Sequence, residues 1–108
     1  MAKYQQPNMQ NLMKQAQKMQ EQMAKAEEEI LAMEFTATSG GGAVKVVMGG
    51  DKRIKELFID PEAVNPEDSE MLSDMIVAAV NEVYTQAETE SAQRMNALTG
   101  NFKLPGMR

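Results

Sequence analysis

A chain of 108 residues is one domain in length, and its 43% hydrophobic content supports a core, so wholesale disorder is excluded. It contains no Cys and no His, which removes disulfides, thiol nucleophiles, imidazole acid–base chemistry and metal sites built on nitrogen or sulfur ligands. A net charge of −5 excludes an indiscriminately basic nucleic-acid binder.

Charge is segregated along the chain. Residues 1–20 carry Lys3, Lys14 and Lys18 and no acid, and residues 52–55 read KRIK. From Glu56 to Glu90 there are ten acids and no base, after which Arg94, Lys103 and Arg108 follow. The longest apolar run, MIVAAV at residues 75–80, is too short for a membrane span or a signal-peptide core. A soluble cytoplasmic protein is expected.

The first element is a helix. Met9, Leu12, Ala16, Met19, Met23, Ala26, Ile30 and Met33 recur at alternating spacings of three and four, the seam of a heptad pattern. Pro7 and Asn8 mark its start, with Asn8 as the cap, and it ends near Phe35. Methionine dominates the seam, and an unbranched thioether packs adaptably.

Three short strands are expected next, at 34–38, 43–48 and 53–60. The triplet Gly40–Gly42 separates the first two, and Gly49–Asp51 the second and third. Both connections suit hairpin turns that need positive φ. Val44, Val46 and Met48 share one face of the middle strand. In the third strand Leu57 and Ile59 have one parity while Ile54 and Phe58 have the other, which implies a bulge or a sheet covered on both sides.

A turn through DPEAVNPEDSE leads to the second helix, expected from Pro66 to about Leu98 with Asn65 as its cap. Leu72, Ile76, Ala79, Val83 and Ala87 form its apolar stripe, widened by Met75 and Val80. Gly100 is expected to stop it, leaving residues 101–108 as a flexible tail on a single domain spanning 1–108. At 1.5 Å per residue the helices reach roughly 38 and 50 Å, far beyond a small three-stranded sheet. They must overhang it, and a second copy is expected to cover the undersized sheet.

The glycines beside Lys45 and Lys52 invite a phosphate-binding reading, which fails. Neither cluster has the Walker spacing or the third glycine of the dinucleotide fingerprint, and neither precedes a helix N-terminus. Asp60 and Glu62 lack any His or Cys neighbour in sequence, so neither catalysis nor a cofactor is expected. Lys14, Lys18 and Lys25, spaced by four and seven, lie along one side of the first helix. They serve either as a solvated face or, doubled in a dimer and joined by Arg94, as a phosphate-tracking surface. Protein interaction, with Met-rich helical arms gripping an apolar partner in a chaperone-like way, is the alternative.

Three blocks, NMQNLMKQAQKMQEQMAKAEEEI, GGGAVKVVMGGDKRIKELFIDPEAV and LSDMIVAAVNEVYTQAE, followed by LPGM, resemble the YbaB/EbfC family of bacterial nucleoid-associated proteins. The resemblance implies an α+β subunit of order α-β-β-β-α, a homodimer with projecting helical arms, and binding of double-stranded DNA in the nucleoid. It implies no enzymatic activity, small-molecule substrate or membrane. By that resemblance Lys14, Lys18, Lys25 and Arg94 are the DNA-binding candidates, although the acidity of the last helix shifts the expectation toward the first.

Overall fold

A computed structural model describes residues 9–101 of the chain. Helix α1 spans Met9–Leu31, followed by strands β1 (Glu34–Ser39), β2 (Val44–Gly49) and β3 (Ile54–Ile59), and helix α2 spans Ser69–Asn101. The strands form one antiparallel sheet in the order β1-β2-β3. This is the expected α-β-β-β-α subunit. The expected cap at Asn8 and the segment 102–108, with Lys103 and Arg108, lie outside the described residues.

The core forms where α2 crosses β1 and β2. Val44, Val46 and Met48 alternate onto the covered face, joined by Ala37 of β1, and Ala79, Val83 and Ala87 of α2 close over them. The spacing of four between these α2 residues keeps them on one helix face, and the two alanines let the helix approach the sheet closely. Leu72, Met75, Ile76 and Val80 pack around this cluster, so the stripe expected from the sequence is the one that is buried. Ser39 fastens the near end, its hydroxyl donating to the Met75 carbonyl at 2.6 Å.

The β1–β2 connection is the glycine turn expected. Gly40, Gly41 and Gly42 have φ of 60°, 68° and 97°, the left-handed region where a Cβ is strained. The β2–β3 connection differs from expectation, because its positive-φ residue is Lys52 at 65° and not a glycine. Gly50 is needed there for space instead, since the C-terminal end of α1 presses against its α-carbon. Its N–H donates to the Met33 carbonyl at 2.9 Å, tying the turn to the end of α1.

The parity break in β3 is a bulge. Val47 pairs with Glu56 and Met48 with Ile54, which leaves Lys55 as the extra residue. The bulge returns Ile54 to the covered face beside Leu57, which pairs with the buried Val46. Lys55 uses its displaced position to cross the side-chain-free Gly49 and pair with Glu34 at 3.1 Å. The open face carries Thr36, Thr38, Lys45 and Glu56 with Val47 and Phe58, so it is mainly polar and not a second apolar face.

Helix α2 starts one turn later than the sequence suggests. Asn65 accepts from the Glu67 N–H at 3.0 Å in a local turn, and Asp68 is the cap, accepting from the Met71 N–H at 3.1 Å. At the other end α2 runs past Leu98 and through Gly100, reaching Asn101, a residue expected in the tail. Asp60 has a structural task of the same kind, capping the single turn Pro61–Ala63 through the Glu62 N–H.

The helices overhang the sheet as their lengths require. The molecule measures 85 × 25 × 15 Å, with a radius of gyration of 22.2 Å. A compact chain of this length would have about 13 Å.

Candidate nucleic-acid interface

α1 approaches the sheet and α2 leaves it, so the two helices run side by side in opposite directions at the base of the arm. Their contact covers only part of α1. Ala26 and Ile30 are buried, whereas Met9, Leu12, Met13 and Met23 of the same helix are 70%, 47%, 62% and 42% exposed. The heptad seam is thus one continuous sequence pattern split into two environments. Its inner end packs on α2, and its outer end is open, forming with Gln17 and Gln20 a shallow groove beside Ala16 and Met19.

The charge along α1 splits at nearly the same place. Residues 9–20 hold Lys14 and Lys18 and no acid, while residues 21–31 set Lys25 against Glu21, Glu27, Glu28 and Glu29. Lys14, Lys18 and Lys25 are all exposed. Among the described residues none of these three lysines forms an ion pair. The outer half of the arm is therefore a cationic, uncompensated surface, and its base is acidic.

Lys25 and Arg94 meet at that base. They line one cleft between the helices with Gln22, Ala26 and Glu29 on α1 and Ala97 and Leu98 on α2. The structure thus brings two of the four sequence candidates together and leaves Lys14 and Lys18 further out along α1. Arg94 is not free in this cleft. Its Nη1 donates to Glu29 Oε1 at 3.2 Å and its Nε to Glu90 Oε1 at 3.2 Å. Glu90 lies one helical turn back, a spacing visible in the sequence. Glu29 is 65 residues away along the chain and carries no sequence signal.

In the other basic cluster, at the hairpin end, Lys52 and Lys55 are compensated, by Glu88 and Glu34, while Arg53 is exposed and forms no ion pair among the described residues. Lys52 donates to Glu88 Oε1 at 2.5 Å, and its ammonium lies 5.7 Å from the centre of the Tyr84 ring. Tyr84 donates its hydroxyl to the second oxygen of Glu88 at 3.4 Å. The hydrogen bond with Glu88 holds Lys52 above the ordinary ammonium range, and the same bond holds the Glu88 carboxyl below the ordinary carboxylate range. This cluster ties the β2–β3 turn to α2. Asp60 and Glu62 belong to no group of three metal-ligating side chains among the described residues.

Comparison with known proteins agrees with this architecture. The sequence profile of the YbaB/EbfC DNA-binding family matches residues 5–102. A nucleoid-associated protein of Clostridium acetobutylicum is 51% identical over 100 residues, covering 93% of this chain and 89% of that one. One from Pelotomaculum thermopropionicum is also 51% identical over 100 residues, covering 93% of this chain and 95% of the relative. A crystal structure of an uncharacterized protein from Helicobacter pylori superposes with a TM-score of 0.71 at 24% identity, covering 91% of this chain and all of that one, and so shares the fold.

Proposed function

Because this chain belongs to the YbaB/EbfC DNA-binding family of nucleoid-associated proteins, we propose that it acts as a non-enzymatic homodimer on double-stranded DNA. Its arms track phosphates with modest sequence specificity, which affects nucleoid organisation and gene expression. The observation that carries this reading is the outer half of α1, where Lys14 and Lys18 are exposed and form no ion pair among the described residues, and where the first acid along the helix is Glu21. Phosphate contact by unpaired lysines gains from counterion release without first breaking a protein ion pair. Neither lysine belongs to a motif that reads base edges, so sequence contributes little.

The dimer is supported by apolar surface that α2 does not cover. α2 lies over β1 and β2, leaving Ile54 and Leu57 of the edge strand β3 50% and 45% exposed. Phe58, on the opposite face of the same strand, is 52% exposed, and Val64, beyond the end of β3, is 47% exposed. An edge strand with free backbone groups and an apolar strip is a natural seat for a second copy. Two copies would double the lysines presented to one duplex. Localisation to the cytoplasm, at the nucleoid, belongs to the same reading, and no described helix is long and apolar enough to cross a membrane.

A salt titration of duplex binding tests the proposal. Log affinity against log salt should fall with a slope of about −0.9 per neutralised phosphate. A flat slope, or no binding at low salt, rejects it. The open methionine groove around Met13, Met19 and Met23 supports a second reading, capture of an apolar protein partner by the arms. That partner would be retained at high salt and released by detergent, the reverse of DNA.

A further inference from the structure

We infer that Arg94 is a masked phosphate-binding group, held by Glu29 and Glu90 until a DNA phosphate displaces them, and that these two carboxylates set how far down the arm the duplex engages. The inference rests on the DNA reading above and extends it from the outer half of α1 to the cleft at its base. Arg94 and Lys25 line the same cleft, so two cations converge on a space between the helices that is open to solvent. A guanidinium and an ammonium so placed are a suitable pair for one phosphodiester.

The carboxylates make that site conditional. Both bonds to Arg94 are 3.2 Å, and its side chain remains 37% exposed, so the pairs are hydrated and weak enough to exchange. A phosphate that takes the guanidinium must leave Glu29 and Glu90 without their partner, close to incoming negative charge. Only a duplex already held by Lys14 and Lys18 meets the high local concentration needed for that exchange. Glu29 has a second reason to hold Arg94. It lies in the last turn of α1, where the helix dipole disfavours a carboxylate unless a cation stands nearby. The unbound state is therefore the masked one, and the base of the arm repels DNA until the outer contacts are made.

The test is a set of duplex-binding titrations by anisotropy, against salt, on the full chain. Glu29→Gln combined with Glu90→Gln should bind about threefold to tenfold more tightly, the range set by removing two weak ion pairs. Its salt slope should steepen by roughly 0.9 for each arm that gains a phosphate. Removing acid anywhere raises affinity a little, so Glu82→Gln, an exposed acid on α2 without an ion pair, supplies the baseline. In an Arg94→Gln background the two glutamate changes should give no more than that baseline.

A gain that persists without Arg94, or affinity and slope unchanged by the double variant, overturns the masking. Absence of duplex binding from every protein in the set, the variants included, overturns the DNA reading and the masking together. Binding by the variant alone supports masking in its strongest form. Should the double variant lose helix content by circular dichroism, Glu29→Gln alone carries the same test, because Glu90 then still pairs with Arg94 inside α2.

Discussion

The α-carbon of Gly50 lies against the main chain of Ile30, so close that a Cβ built on Gly50 would stand only 2.6 Å from the Ile30 carbonyl carbon. The obstacle is helix backbone, not the far end of a flexible side chain. The junction between arm and sheet therefore depends on a missing methyl group. Gly50→Ala should destabilise the fold by about 3 kcal/mol, the upper end for overpacking. At this chain length that lowers Tm by more than about 10 °C. Gly41→Ala, with nothing within 4 Å but a φ of 68°, should cost roughly 1–2 kcal/mol from backbone strain alone. Thermal unfolding of the two variants side by side gives the ranking, and equal Tm values would contradict this account of the junction.

Lys14→Glu with Lys18→Glu should weaken duplex binding on every sequence tested and leave Tm within about 2 °C of the parent. Both side chains are exposed and unpaired, and surface changes of this kind move stability by less than about 0.5 kcal/mol. The salt slope should become shallower by about 0.9 for each phosphate that is no longer neutralised. Normal binding by this variant would reject the residue assignment while leaving the function intact.

If the chain forms the proposed dimer through β3, Leu57→Asp should shift it toward monomer. Leu57 sits on the covered face of β3 at the uncovered edge, 45% exposed, so a charge there is tolerated by the subunit and not by an apolar interface. A loss of about 2 kcal/mol of association energy, a typical central-residue effect, raises the dimer Kd roughly 30-fold. Light scattering across a dilution series measures it. An unchanged Kd would place the interface elsewhere.

The Lys52–Glu88 pair makes a pH-dependent contribution with two edges. Glu88 is depressed in the fold, so its share of stability is present above the ordinary carboxylate value of 4.5 and is lost as pH falls through the lower folded value. Lys52 is raised, so its share is present below the ordinary value of 10.5 and is lost as pH rises through the higher folded value. Lys52→Met should leave Tm less dependent on pH at both edges, with the smallest change in slope near neutrality. Tm measured from pH 3 to 11 on both proteins decides it.

Local pattern made most of the fold legible. The alternation of Val44, Val46 and Met48 and the spacing of Ala79, Val83 and Ala87 are repeats of two and of four residues, the second close to one helical turn, written within a few residues of each other. They predict which side of each element is apolar, and the core uses those sides. The break of parity at Ile54 is visible for the same reason, and the bulge at Lys55 resolves it. Where two local signals compete, the boundary moves. Asn65 and Pro66 look like a helix start, yet Asn65 spends its side chain on a turn and Asp68 caps the helix.

The sequence by itself determined the elements, their apolar faces, the excess length of the helices and the cationic outer half of α1, because each depends on residues close together in the chain. Only the tertiary structure decided how much of the methionine seam is covered, which edge of the sheet stays bare, and why Gly50 must be glycine. It also decided the state of Arg94. That side chain looks like the lone cation of an acidic helix until the antiparallel path of α1 and α2 brings Glu29 across 65 residues to meet it. A contact of that kind is fixed by the route of the chain through space, and no periodicity along the chain records it.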